Sequence, residues 1–174
     1  DMIMSEKIVF KLSPQSIQNA IDELEKYKDT FLNKNEIFVQ RLCEVGIPVV
    51  RENISSSTGD SDKNYNTYIQ VNSYQGHSEA KLIVEGRELL FIEFGAGIHY
   101  NGSAGSSPHP KGNEFGYTIG SYGKGLGKKD HWYYTTDTGE NIKSFGTKAT
   151  MPVYKASQTM IQQIRKIAKE VFES

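Results

Sequence analysis

The chain has 174 residues, a single cysteine and a net charge of −1, from 20 Lys plus Arg against 21 Asp plus Glu. That length suits one domain able to bury its own core. One cysteine excludes an internal disulfide, and the balanced charge argues against a general nucleic-acid binder, whose footprint is strongly basic. Apolar residues make up 37% of the chain while glycine reaches 16 positions, above its usual share of about 7%.

In chain order, residues 6–12 (EKIVFKL) read as a short edge strand. Ser13-Pro14 then fits an N-cap followed by the first helical position. Ile17, Ile21, Leu24, Phe31, Phe38, Leu42 and Val45 recur at spacings of three, four and seven, which defines a helix with one buried stripe. The stripe continues past Gly46 and Pro48 toward Ile54. Because Pro48 removes a backbone donor, two helices broken near it or near Asn33-Lys34-Asn35 are expected in preference to one rod.

Residues 55–64 are a polar loop. Tyr65, Thr67, Ile69 and Val71 alternate with Asn66, Tyr68, Gln70 and Asn72, the pattern of a half-buried strand. A second strand is expected over 79–85, a two-residue hairpin turn at Gly86-Arg87, and a central third strand over 88–94 (ELLFIEF), which is apolar on both faces. From Gly95 to Gly127 the regular pattern stops: ten glycines fall within 33 residues. Loops of this length inside a compact domain are usually functional, and Tyr100, Phe115, Tyr117 and Tyr122 distinguish this one from a passive Gly/Ser linker. Strands return at Trp132–Tyr134 and Asn141–Phe145, around a turn at Asp137-Thr138-Gly139-Glu140. Thr150 is the expected cap of a C-terminal helix with Pro152 in its first turn and a stripe of Val153, Ala156, Met160, Ile164, Ile167 and Val171. The expected fold is a single α+β domain over 1–174. One mostly antiparallel sheet packs against a long N-terminal helix (or helix pair) and a C-terminal helix, with a long Gly/aromatic loop at about 95–131.

Motifs for chemistry are few. Gly123-Lys124-Gly125-Leu126-Gly127-Lys128-Lys129 lacks the spacing of a phosphate-binding loop: Tyr122 stands where its first glycine belongs, and Lys129 where Ser or Thr belongs. His77, His99, His109 and His131 have no helical metal-ligand spacing and read as loop or surface residues; no metal or cofactor is expected. Cys43, beside Leu42 and Val45, reads as a small buried hydrophobe. Glu85, Glu88 and Glu93 could supply a carboxylate pair, but exposed carboxylates on adjacent strands are usually only solvated. Glu93 differs: it interrupts an apolar run just before a glycine turn, where it could accept backbone N–H groups and pin the root of the loop. The Tyr and Lys residues of 117–134 suit either a nucleic-acid or a protein interface, and the low net charge favours protein. No run approaches the ~18 apolar residues of a membrane span. DMIMSEKIVF lacks the pattern of a signal peptide, so a soluble, non-exported protein is expected.

The order of these segments resembles the neck, tail-completion or "putative tail-component" minor structural proteins of tailed bacteriophages. The matching stretches are Phe91-Ile92-Glu93-Phe94-Gly95-Ala96-Gly97, Gly120-Ser121-Tyr122-Gly123-Lys124-Gly125 followed by Trp132-Tyr133-Tyr134, and Gly146-Thr147-Lys148-Ala149. Arg41-Leu42 with Gly46 on the N-terminal helix also fits. Met151-Pro152-Val153 departs from the Pro-Phe-Met common in that family. The resemblance implies a non-enzymatic virion protein, located at the neck or head–tail junction after assembly in the host cytoplasm. It would form a homo-oligomeric ring with tail-terminator-like or head–tail-joining character and meet neighbouring neck, head-completion and tail proteins. The interface residues expected on this basis are Tyr100, Phe115, Tyr117, Tyr122, Lys124 and Trp132, with Glu93, Gly95, Gly97 and Gly146 at the loop root. A loop with glycine hinges is expected to leave these rings uncovered by its own domain and to bury them against a neighbour. The alternatives are a DNA-contacting virion component, or a phage-encoded enzyme using Glu93 or His131.

Overall fold

In a computed structural model, residues 13–58, 65–86, 88–97, 107–117, 131–136 and 138–173 are described. The element order is α1 (Pro14–Thr58), β1 (Tyr65–Tyr74), β2 (His77–Gly86), α2 (Leu89–Phe94), β3 (Ala96–Gly97), β4 (Trp132–Thr135), β5 (Asn141–Ser144), β6 (Gly146–Thr147) and α3 (Pro152–Phe172). This is an α+β arrangement, as the sequence pattern implies. The expected strand at 6–12 lies outside the described residues.

The N-terminal helix is one rod rather than a pair. Ser13 caps it, its Oγ accepting the Ser16 N–H at 3.3 Å, and the helix then runs for 45 residues, about 68 Å at 1.5 Å per residue. Pro48 sits on the exposed side, so the Glu44 carbonyl that it leaves without an N–H partner faces water and the missing bond costs little. The opposite side of the same turn is held by packing: Cys43 is 1% exposed, and Val50 and Ile54 are fully buried. Gly46 permits that packing, since a Cβ there would stand 2.6 Å from Leu82 Cδ2 and 3.1 Å from Met160 Sδ. Tertiary contact thus holds the segment helical where local propensity predicts a break.

α3 lies antiparallel on α1. Arg41 pairs with Glu170, and Phe31 and Phe38 meet Phe172 with ring centroids 5.8 Å apart. At the other end Lys155 Nζ donates to Asn53 Oδ1 at 2.7 Å and Thr150 Oγ1 donates to the Asn53 carbonyl at 2.6 Å. Val50, Ile54 and Ala156 form the centre of the core, flanked by Val49, Tyr65, Leu82, Val84 and Leu89. Of the expected α3 stripe, Ala156, Ile167 and Val171 are buried, whereas Val153 and Ile164 remain exposed.

β1 and β2 form an uninterrupted antiparallel hairpin from Tyr65↔Gly86 to Tyr74↔His77. Its two-residue turn is Gln75-Gly76; the hairpin turn expected at Gly86-Arg87 has no third strand to lead into, because Leu89–Phe94 is helical, and Arg87 lies outside the described residues. Tyr65, Thr67, Ile69 and Val71 face inward as their alternation predicts. The expected central strand at 88–94 is instead the short helix α2. Its Ile92, Glu93 and Phe94 are buried while Leu90 and Phe91 are exposed. Nothing then bridges the ribbons among the described residues, and the single sheet becomes three two-stranded antiparallel pairs: β1–β2, β3–β6 and β4–β5.

Candidate functional site

The ends of α2 and α3 meet at Glu93. Residues 149–151 approach α3 without a local side-chain cap, and Met151 at the N-cap has φ 57° and ψ 52°, a left-handed conformation uncommon for a side chain of this size. Thr150 does not cap α3, because its hydroxyl is turned to Asn53 on α1. The cap comes from 60 residues earlier. Glu93 Oε2 accepts the Val153 N–H at 2.8 Å and Oε1 accepts the Tyr154 N–H at 2.9 Å. Two of the helix's unsatisfied donors are answered, and a carboxylate stands at the positive end of the α3 dipole. The Ile92 carbonyl, next along α2, accepts the Thr150 N–H at 2.9 Å.

A third donor reaches the same carboxylate from the glycine-rich segment. His109 Nε2 lies 3.0 Å from Glu93 Oε1, and both residues are 6% exposed. The Lys111 N–H donates to His109 Nδ1 at 3.0 Å. Nδ1 therefore carries the lone pair and Nε2 the proton, which it donates to Glu93. Ser107 fixes the approach, with its Oγ donating to the Phe94 carbonyl at 2.6 Å and accepting the His109 N–H at 3.2 Å. Consecutive turns close the segment: Gly112 N–H to the His109 carbonyl at 2.8 Å, and Tyr117 N–H to the Gly112 carbonyl at 2.7 Å.

Around this polar centre is a cluster of rings. Tyr117 stacks on Phe94 at 3.9 Å, Phe115 meets Phe94 edge-on at 5.9 Å, and His109 packs against Phe94 at 4.6 Å and Tyr154 at 5.0 Å. A groove of about 490 Å³ opens here, walled by Leu89, Leu90, Phe94, Phe115, Tyr117 and Val153, with Glu93 and His109 in its lining. The described part of the loop, 107–117, is thus bound to its own domain, contrary to the expectation that its rings would be left uncovered. Tyr117 is half-buried, although Phe115 remains 56% exposed. The sequence missed this because aromatic stacking on Phe94 joins residues 23 apart.

Gly95 and Gly97 continue from the same root. Gly95 has φ 81° and ψ 165°, a region open essentially to glycine alone, and a Cβ there would lie 3.3 Å from Ala149 Cβ. Ala96 pairs with Thr147 and Gly97 with Gly146. The Glu-x-Gly-x-Gly stretch and the Gly-Thr-x-Ala stretch, about fifty residues apart in sequence, therefore meet as one two-residue β-bridge. Of the other expected interface residues, Trp132 lies in β4, paired with Ser144, and Tyr100, Tyr122 and Lys124 lie outside the described residues.

Both carboxylate oxygens and both imidazole nitrogens have intramolecular partners: Glu93 Oε1 accepts two donors and Oε2 one, and His109 Nδ1 accepts the Lys111 N–H. His131 is not in the groove; its ring contacts Tyr133 and Phe145. Among the described residues no group of three His, Cys, Asp or Glu is placed to hold a metal ion, and no helix is long and apolar enough to cross a membrane. Burial pushes the Cys43 thiol above its ordinary pKa, partly opposed by a backbone hydrogen bond at Leu82. Comparison with protein-family models, curated proteins and solved structures finds no match.

Proposed function

We propose that this chain is a virion structural protein of a tailed bacteriophage, forming a homo-oligomeric ring at the neck or head–tail junction, and that it is not an enzyme. The observation that carries this reading is the meeting of the two stretches on which the resemblance rests. Glu93, Gly95 and Gly97 on one side, and Gly146, Thr147 and the start of α3 on the other, form a single joint in which Glu93, Gly95 and Pro152 are buried. These residues need to be what they are for mechanical reasons: a remote helix cap, a glycine-only backbone and a close crossing.

The joint fixes the root from which the glycine-rich segment leaves the body. Phe115 is exposed, and a segment whose sequence also carries Tyr100, Tyr122 and Lys124 suits a protein neighbour in composition. Successive subunits contacting through unlike surfaces generate a closed ring when the rotation closes. The three donors held by Glu93, two of them backbone groups of α3, support a structural role for the Glu93–His109 pair over acid–base chemistry. The test is assembly by the full chain: rings of uniform size in negative-stain images and mass photometry support the reading, alone or on addition of the adjoining neck proteins. A chain monomeric under both conditions and absent from particles refutes it.

A further inference from the structure

α1 is more than twice as long as α3, 45 residues against 21. Because the two are antiparallel and α3 ends where Phe172 meets Phe31 and Phe38, the first half of α1 extends past its partner. It nevertheless carries the same apolar stripe. Ile17, Ile21, Leu24, Tyr27 and Phe31 are 41–55% exposed, on one face at spacings of three, four and seven. A polar face would suffice for a helix that only projects into solvent; an apolar seam repeating every seven residues is the pattern of a helix packed along another helix.

We infer that the protruding half of α1 is a self-association surface, on which the same segment of a second copy lies antiparallel. Charge selects both the occupant and the direction. The seam positions between Ile17 and Phe31 are apolar except for Lys28, and Glu25, three residues before it, flanks the seam. Neither residue has an ion-pair partner among the described residues. In a parallel pair the two Lys28 side chains would face each other across the seam. In the antiparallel pair Lys28 lies opposite Leu24 and next to Glu25 of the second copy, and Ile21 lies opposite Phe31. The two-fold axis makes each lysine–glutamate pair twice, so the one charge in the seam is neutralised by the partner.

The uncovered apolar surface of the stripe is roughly 500 Å² per copy, so pairing removes on the order of 1,000 Å², the lower edge of a specific interface. An interface of that size suits a weak, reversible dimer. The contact is isologous, unlike the head-to-tail contacts of a ring, and uses a different face from the glycine-rich segment.

Sedimentation velocity on the full-length chain, across low to high micromolar concentration, tests this. The expected result is a monomer–dimer equilibrium that Leu24→Asp weakens about tenfold or more while far-UV circular dichroism keeps its helical signal. Lys28→Glu weakens it too, and Glu25→Lys combined with Lys28→Glu restores it. Cysteines at both 24 and 28 link two copies on mild oxidation, whereas Leu24→Cys alone does not. A chain monomeric at every concentration, a dimer indifferent to Leu24→Asp, or a charge swap that fails to restore association would overturn the inference. Repeating the series with Tyr122→Ser and Lys124→Ser separates it from ring assembly, since the arm dimer is expected to persist in that variant.

Discussion

Replacing Glu93 by glutamine changes one atom and removes one charge, yet the joint predicts a large loss of stability. Three donors converge on the carboxylate: the Val153 and Tyr154 N–H groups and His109 Nε2–H. A glutamine carbonyl can accept two of them at most, and its NH₂ then faces the third, donor against donor. One orphaned buried donor costs about 1–3 kcal/mol, and replacing charge-assisted bonds by neutral ones about 1 kcal/mol more. Loss of the negative charge at the α3 N-terminus adds about 0.3–1 kcal/mol. The expected total is about 2–5 kcal/mol, or a fall in Tm of roughly 5–20 °C for a chain of this size. Urea titration and thermal melts followed by far-UV circular dichroism measure it. The same variant should expose Tyr117 and Phe115 together, because His109 ties their segment to Glu93. A Glu93→Gln protein within about 1 kcal/mol of the parent would show that the carboxylate does not cap α3, and the account of the joint would fall with it.

Other expectations follow from the same geometry. His109→Phe keeps the ring among Phe94 and Tyr154 but orphans the Lys111 N–H and removes one donor to Glu93, so it should cost about 1–3 kcal/mol by urea denaturation. Gly95→Ala forces a side chain into a glycine-only backbone against Ala149 and should cost about 1–3 kcal/mol; an unchanged midpoint would refute the strain. The Cys43 thiol, buried and with its pKa raised, should react with a thiol reagent at pH 8 only after unfolding, since the thiolate is the nucleophile; rapid labelling of native protein would contradict the burial. Tyr122→Ser with Lys124→Ser should leave the melting temperature unchanged while abolishing ring assembly in mass photometry. Deleting the whole of 103–127 is a poorer test, because it also removes His109 and Tyr117 from the joint.

The sequence makes some elements plain and conceals others for identifiable reasons. The α1 stripe, the Ser13 cap and the inward alternation of Tyr65 to Val71 are local signals of 3.6- and 2-residue period. Pro48 misleads because its cost depends on which side of the helix it occupies, and that side is set by packing against Leu82 and Met160. ELLFIEF misleads because a short, largely apolar run has no period to separate strand from buried helix. The loop-root role imagined for Glu93 named the right kind of partner, backbone N–H groups, but not their source on α3. His109, read as an ordinary loop histidine, is the larger omission. Its partner lies 16 residues away across irregular chain, where no periodicity operates, and the nearest signal was Ser107-Pro108-His109-Pro110, a rigid turn delivering one histidine.

The central claim is that this chain belongs to the phage particle. Mass spectrometry of gradient-purified virions addresses it most directly. The account predicts peptides of this chain at a fixed, low copy number relative to the major tail protein, and in every particle preparation. Their absence from intact, infectious particles would contradict it.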